Sequence, residues 1–180
     1  QSIGRHNTTD EASTLGFLGI HHAARQHHFH RLCLAEGPCQ PLGDPHAIMA
    51  PIRQNFEQIR PLLSEAKDIQ QLDALEAWAE DEFTRLLPLL ELRRHNGSIR
   101  ECHGDIHLGN ATLLDDQVVL FDCIEFNEQF RLIDVASDAA FLAMDLEDRG
   151  LKPLSRRFTN AWLELTGDYQ AMPLLDFYKA

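Results

Sequence analysis

Residues 101–110 read Glu-Cys-His-Gly-Asp-Ile-His-Leu-Gly-Asn, and the rest of the chain is arranged around this stretch. It places a carboxylate, Asp105, five positions before an amide, Asn110. A second carboxylate, Asp122, follows twelve positions later, directly after the apolar run Val-Val-Leu-Phe at 118–121. Asp and Asn are common at the ends of loops and strands. Their significance here therefore depends on what the residues between them form.

The residues between the amide and the second carboxylate predict a β-hairpin. Residues 111–114 and 118–121 read as two short strands, and the pair at 115–116 reads as the turn. Because a hairpin brings its two ends together, we predict that Asn110 and Asp122 lie at the same edge of it.

This grouping is typical of phosphoryl transfer from a magnesium nucleotide. Mg²⁺ prefers oxygen ligands and keeps several waters, so the Asn110 amide carbonyl and the Asp122 carboxylate suffice beside the phosphates. Asp105 is then left to orient an attacking hydroxyl and to take its proton. Kinases carry the base, the amide and the metal-binding carboxylate in the same order. We therefore predict Asp105 as the catalytic base, and Asn110 and Asp122 as the ligands of Mg²⁺ and of the nucleotide.

The sequence resembles the aminoglycoside phosphotransferase and choline kinase-like family, whose signature reads His-Gly-Asp-x-x-x-x-Asn followed by Ile-Asp. Residues 103–110 match the first element, and Phe-Asp-Cys-Ile-Glu at 121–125 fits the second. The resemblance covers residues 46–180 and is most specific from 101 to 145. It is closest to a bacterial branch of uncharacterised proteins in which such a domain precedes a P-loop ATPase domain. It implies an α+β fold, a mostly helical carboxy-terminal lobe of the protein-kinase-like type with a small hairpin beside the catalytic loop.

The resemblance also implies roles for further residues. His103 matches the leading histidine of the family, which holds the loop by hydrogen bonds. His107 lies two residues after Asp105, where protein kinases often carry a Lys directed at the transferred phosphate. It is expected either to assist there or to be a hydrogen-bonded loop histidine. Asp134 and Asp138 fall in the segment where the family has an Asp that opens a helix and braces the catalytic loop.

The expected function is ATP- or GTP-dependent phosphorylation of a hydroxyl group on a small molecule. Two alternatives remain open: a non-catalytic kinase-like interaction module, and a metallohydrolase that binds metal through His103, Asp105, His107 and Asp122. No histidine follows His107, so a nitrogen-rich metal site would need ligands from the histidine-rich segment at 21–30. A solvated helix face is the simpler interpretation of that segment.

The nucleotide-gripping lobe of a kinase needs a Gly-rich turn and a phosphate-pairing Lys. No Gly-x-Gly-x-x-Gly occurs before Glu101, and the only lysine there is Lys67, in a helical stretch. We therefore expect residues 46–180 to be a kinase-like carboxy-terminal lobe from a longer protein, with the nucleotide lobe absent, reduced or on residues outside this sequence. Residues 1–45 are expected to form an amino-terminal helical segment and a loop.

The net charge of −12 argues against nucleic acid or an anionic membrane as the main partner. It suits a cationic small-molecule acceptor, although solubility explains it equally well. No apolar run approaches the length of a membrane span, and residues 1–11 lack the apolar core of a signal peptide. The cysteines at 33, 39, 102 and 123 show no metal-type pairing and read as reduced thiols of a cytoplasmic protein.

The apolar periodicity and the capping residues predict the helices. A loop is expected at 37–51, which holds four prolines. A weak helix is predicted at 10–36 and a second helix at 52–63. A long helix runs from Asp68 through Leu90, and Pro88 is expected to kink or interrupt it. Later helices are predicted from a cap at Asp134 or Ser137 as far as Leu151, at 154–165 with a stop at Gly167, and as an amphipathic run at 174–180.

Overall fold

The structure is a computed structural model and describes residues 43–114 and 117–179. The predicted helix at 10–36, the histidine-rich segment, two of the four cysteines and the hairpin turn at 115–116 lie outside the described residues.

The described residues form six α-helices and four short strands. The helices are α1 (Pro45–Ile59), α2 (Ala66–His95), α3 (Glu128–Arg131), α4 (Val135–Asp148), α5 (Lys152–Thr166) and α6 (Met172–Lys179). The strands are β1 (Ile99–Glu101), β2 (Ala111–Leu114), β3 (Gln117–Leu120) and β4 (Leu132–Asp134). Short 3₁₀ turns lie at Arg60–Leu62, Leu108–Asn110 and Tyr169–Ala171. The prediction of an α+β, mostly helical fold with a small hairpin is confirmed.

The hairpin of β2 and β3 is antiparallel and pairs Ala111 with Leu120 at its open end. Its second strand begins one residue earlier than predicted and ends before Phe121. The Phe121 N–H donates to the carbonyl of Asn110 at 3.1 Å, which extends the pairing by one step. Asn110 and Asp122 therefore lie at the same open end of the hairpin, as the sequence predicted.

A second antiparallel ribbon joins β1 to β4, which are distant in sequence. Ile99 pairs with Asp134, and Glu101 pairs with Leu132. The Cys102 N–H continues this pairing by donating to the carbonyl of Arg131 at 2.8 Å. The ribbon brings the residues that follow β1 beside the start of α4.

Helix α1 begins at Pro45, inside the stretch that the prolines had indicated as a loop, so that prediction was wrong for its second half. The Asp44 carboxylate accepts the His46 N–H at 2.8 Å and caps the helix. A proline is favourable at a first helical position, where its missing N–H has no intrahelical partner in any case. The helix also contains Pro51 and continues beyond it.

Two further boundaries differ from those predicted. Helix α2 begins at Ala66, so Asp68 lies in its first turn, where a carboxylate favours the helix dipole, and does not cap it. Pro88 was expected to kink or interrupt this helix, and the helix continues through it without interruption. Helix α4 is capped by Asp134 and ends at Asp148, so Leu151 lies beyond it. The predicted stop of α5 at Gly167, whose φ is 68°, is confirmed.

Two groups of buried side chains form the core. The first surrounds α4 and α5 and includes Cys102, Ile106, Ala139, Ala143, Phe158 and Trp162. The second packs α1, α2 and α6 together through Met49, Phe56, Phe83, Leu86, Leu174 and Phe177. Cys102 and Ile106 belong to the first group and flank Asp105, so the central stretch is fastened to the core on both sides. Among the described residues, no helix has both the length and the apolar character needed to cross a membrane.

Candidate active site

The loop after β1 turns Asp105 outward between two buried anchors. Cys102 is 3% exposed and Ile106 is 1% exposed, whereas the Asp105 side chain is 41% exposed. Gly104 adopts a φ of 82°, and a Cβ atom placed there would lie 2.4 Å from the carbonyl oxygen of Phe130. Only glycine fits this turn, because both the backbone angle and the close approach exclude a side chain.

A buried carboxylate in the first turn of α4 holds the backbone of this loop. The Asp138 carboxylate accepts the N–H of His103 at 2.9 Å and the N–H of Gly104 at 3.0 Å. Burial raises the pKa of Asp138 to about 6, although the two N–H groups and the nearby His103 favour its charged form. The two carboxylates of the predicted bracing segment have separate tasks, because Asp134 opens the helix and Asp138 contacts the loop.

A second carboxylate of α4 also supports the loop, and sequence reasoning missed it. Asp145 accepts the N–H of Leu108 at 2.8 Å through one oxygen. Its other oxygen pairs with Arg149 at 2.9 Å. Asp145 lies seven residues after Asp138, a spacing of about two helical turns that places both on one face of α4. That spacing was the available sequence signal.

His103 joins the loop to the segment that carries Asp122. Its Nδ1 accepts the N–H of Asp105 at 3.3 Å, and its Nε2 donates to the carbonyl of Phe121 at 2.9 Å. Its own carbonyl accepts the N–H of Ile124 at 2.9 Å. The segment on both sides of Asp122 is therefore held against the loop.

The backbone at Asp122 adopts an uncommon conformation. Its φ of 60° is the only positive φ of a non-glycine residue in the described ranges, 43–114 and 117–179. The residue is exposed. Asp tolerates this region better than most residues, and sparsely populated backbone conformations cluster at ligand-binding sites.

The amide of Asn110 is directed at Asp105 through its nitrogen. Nδ2 donates to the carbonyl oxygen of Asp105 at 3.1 Å and to its carboxylate Oδ2 at 3.2 Å. Both partners are acceptors, so the amide nitrogen must face them and the amide oxygen takes no part in these bonds. Asn110 is 7% exposed, which limits its freedom to turn.

His107 lies on the other side of the Asp105 carboxylate. Its Nδ1 accepts the N–H of Gly109 at 3.0 Å, which leaves the proton on Nε2. Nε2 lies 3.6 Å from Asp105 Oδ2, beyond direct hydrogen-bond distance. A Cβ atom at Gly109 would lie 2.7 Å from the His107 ring, so this glycine makes room for the imidazole.

The oxygen atoms at the open end of the hairpin fit a hard cation. They are the free amide oxygen of Asn110 and the exposed carboxylate of Asp122, and Mg²⁺ selects such donors when phosphates complete its shell. Within the part of the chain that the structure describes, no three His, Cys, Asp or Glu side chains converge as metal ligands. Both ring nitrogens of His103 are engaged by the backbone, so the metallohydrolase alternative finds no ligand set among these residues.

Arg93, Asp134 and Asp168 form an ion cluster where the end of α2 meets the start of α4 and the segment after α5. Arg93 donates to both oxygens of Asp134 at 2.7 and 2.8 Å. It also donates to both oxygens of Asp168 at 2.7 Å each. Burial alone would lower the pKa of Arg93, but the hydrogen bonds to Asp134 and Asp168 raise it above its ordinary value. Sequence reasoning did not identify Arg93 or Asp168, and no local pattern marks them.

Comparison with known proteins places this geometry in context. A family model described as the phosphotransferase enzyme family matches residues 17–175. Uncharacterised proteins of Mycobacterium tuberculosis and Mycobacterium bovis are 40% identical over 88 residues, which is 49% of this chain and 18% of each of those proteins. The matched region is thus less than a fifth of those relatives. No solved structure matches the chain significantly.

Proposed function

The chain belongs to the phosphotransferase enzyme family, and from this premise we propose that it transfers a phosphoryl group from ATP or GTP, with Mg²⁺, to a hydroxyl group of a small molecule. The observation that carries the proposal is the linkage of Asp105, Asn110 and Asp122. Asn110 donates to Asp105, and His103 fixes the backbone before Asp122. These contacts link the proposed base, the proposed amide ligand and the backbone beside the proposed carboxylate ligand near the open end of the hairpin.

Asn110 and Asp122 are the proposed ligands of the metal and, through it, of the nucleotide. When bound, Mg²⁺ would neutralise charge on the transferring phosphate. The orientation of Asn110 supports this assignment, because its nitrogen is used by Asp105 and its oxygen is left for a cation. Asp122 supplies the negative charge that an amide lacks.

Asp105 is the proposed base. Its carboxylate is exposed enough to reach an acceptor, and Asn110 restricts its orientation. It would accept a hydrogen bond from the acceptor hydroxyl and take its proton as the phosphorus–oxygen bond forms. His107 is proposed to donate a hydrogen bond to an oxygen of the transferred phosphate, because its Nε2–H lies beside the same carboxylate.

The acceptor is proposed to be a cationic small molecule. The exposed carboxylates Asp122, Glu125 and Glu128 lie within seven residues of one another in the sequence, and the whole chain carries a charge of −12. Such a surface attracts cations and repels nucleic acid. We further propose that the full-length protein is cytoplasmic and that its remaining residues include a P-loop ATPase domain.

The test is phosphotransfer by the full-length protein with Mg²⁺ and ATP or GTP. Acceptors would be hydroxylated amines such as an aminoglycoside and choline, with the Asp105→Asn variant as the control for contaminating kinases. We expect a phosphorylated acceptor with the wild type only. Absence of magnesium-nucleotide binding in calorimetry would overturn the proposal in favour of a non-catalytic interaction module.

A further inference from the structure

Arg93 is a fully buried cation that ties together three parts of the fold. It lies in the last turn of α2 and is 2% exposed. Its guanidinium donates hydrogen bonds to both carboxylate oxygens of Asp134, directly before α4, and of Asp168, after α5. A guanidinium that binds two carboxylates in this way fixes their orientation as well as their distance. This one side chain therefore connects α2, the start of α4 and the segment after α5.

One of these carboxylates also sets the first turn of α4. Asp134 Oδ1 accepts the N–H of Ala136 at 2.8 Å and caps the helix. One turn later, Asp138 accepts the N–H groups of His103 and Gly104. Any shift at Asp134 therefore moves the group that holds the loop.

The backbone of Arg93 makes a parallel connection. Its carbonyl accepts the Ser98 N–H at 3.0 Å, and the Ser98 carbonyl accepts the Val135 N–H at 3.1 Å. The side chain and the main chain of Arg93 thus both link α2 to the start of α4. Arg93 bonds Ser98, directly before β1, and the loop follows β1 directly, whereas the loop itself is held by Asp138, one turn into α4.

We propose that Arg93 is a positioning residue for the catalytic loop, acting through Asp134 and α4 on Asp138. The inference rests on the proposed function only in taking this loop as catalytic. Arg93 touches neither Asp105 nor any proposed metal ligand through the hydrogen bonds described, so its effect must be on where the loop lies.

The test is Arg93→Lys in the full-length protein. Lysine keeps the charge, but its three donors lie on one nitrogen, so it cannot bind two carboxylates through both oxygens of each. We expect kcat to fall roughly 10- to 100-fold, because a displacement of the base by about 1 Å has effects of that size. The KM for the magnesium nucleotide should stay within about twofold. Amide exchange at His103 and Gly104 should quicken more than elsewhere in the chain.

The matched control is Leu86→Ala. It opens a cavity in the apolar core between α1, α2 and α6, and it leaves the ion cluster intact. Asp168→Asn is a milder second variant in case Arg93→Lys does not fold, because the Asp168 side chain is 20% exposed. It should change kcat and loop exchange in the same direction but less. The inference is rejected if both variants change kcat, and amide exchange at His103 and Gly104, no more than Leu86→Ala does. Arg93 would then only stabilise the fold.

The amide-exchange measurement needs no substrate. If wild-type protein transfers no phosphate yet Arg93→Lys releases the His103 and Gly104 amides, the proposed function fails while the positioning of the loop by Arg93 stands.

Discussion

The Nε2 atom of His103 lies 2.9 Å from the carbonyl oxygen of Phe121, the residue directly before Asp122. The other nitrogen of the same ring accepts the N–H of Asp105 at 3.3 Å. One imidazole therefore joins the backbones of the proposed base and the proposed metal ligand, which lie on separate segments. This side chain therefore helps to set the distance between the two backbone segments.

Replacing His103 by Ala should weaken magnesium-nucleotide binding roughly fivefold, since a hydrogen bond of about 1 kcal/mol no longer holds the segment before Asp122. His103→Gln keeps an N–H donor that can reach the Phe121 carbonyl and should lose less. Calorimetric titration of the full-length protein with the magnesium nucleotide measures both. Equal affinities in the wild type and both variants would mean that Asp122 is positioned by other contacts.

Asp122→Ala should abolish magnesium-nucleotide binding, and Asp122→Asn should weaken it severely, because an amide supplies only a dipole to the cation. Asn110→Ala should weaken binding less. Asp122→Gly serves as a control for folding: relief of the positive φ should roughly offset the greater freedom of glycine in the unfolded chain. Its thermal stability should thus stay close to that of the wild type while binding is lost. Undiminished binding by Asp122→Ala would remove this residue from the metal site.

Gly104→Ala and Gly150→Ala form a matched pair, because both glycines have a φ near 80° but different surroundings. A Cβ at Gly104 would meet the Phe130 carbonyl oxygen at 2.4 Å, whereas nothing lies within 4 Å of one at Gly150. Gly150→Ala should cost about 1–2 kcal/mol of unfolding free energy from backbone strain alone. Gly104→Ala should cost roughly 1–3 kcal/mol more from overpacking. Chemical denaturation measures the difference, and equal losses would show that Phe130 moves aside freely.

Local sequence patterns predicted the parts of the fold whose partners are close in the chain. The hairpin follows from two apolar runs and a turn, and α5 follows from its periodicity and Gly167. The start of α1 was also readable, because Asp44 followed by Pro45 is a helix start, but the number of prolines outweighed it.

Contacts between distant residues could not be predicted in this way. The β1–β4 ribbon pairs residues such as Ile99 and Asp134 through strands of only three residues, too short for an alternating pattern. Arg93 meets a carboxylate 41 positions away, and an arginine in a helix that also carries many exposed charges looks like one more surface residue. Asp105, Asn110 and Asp122 could be proposed because they follow the order of the base, the amide and the metal-binding carboxylate in kinases. The side chains that hold them in place follow no such order.

The buried Asp138 should make stability depend on pH in an uncommon direction. Its pKa is about 6 in the folded chain, against 3.8 as its ordinary value, so between about pH 4 and pH 6 the folded state binds more protons than the unfolded state. The unfolding free energy should therefore fall as pH rises through this window, by roughly 3 kcal/mol from this group, and then level off. Denaturation across this range, compared with Asp138→Asn, isolates the contribution. A wild type and variant with parallel pH profiles would contradict it.

The Asp105 carboxylate has contacts that distinguish it from the proposed metal ligand Asp122. One of its oxygens, Oδ2, receives the Asn110 amide at 3.2 Å and lies 3.6 Å from His107 Nε2. An asparagine at position 105 would have to turn its own carbonyl oxygen toward Asn110, because two amide nitrogens cannot hydrogen-bond to each other. Its nitrogen would then occupy the place of Oδ1, the oxygen proposed to meet the acceptor hydroxyl. That nitrogen could hold a hydroxyl oxygen but could not take the hydroxyl proton.

Asp105→Asn should consequently lower kcat by about 10²–10⁴-fold, the usual contribution of a general base, while leaving the affinity for the magnesium nucleotide nearly unchanged. The variant should fold normally, because the change is nearly isosteric and the side chain is 41% exposed. Asp81→Asn, which alters an exposed carboxylate on α2, controls for the loss of one negative charge. Steady-state kinetics of the full-length protein measure both variants. An unchanged kcat with a collapsed nucleotide affinity would place Asp105 on the metal, and the proton of the acceptor would then need another base.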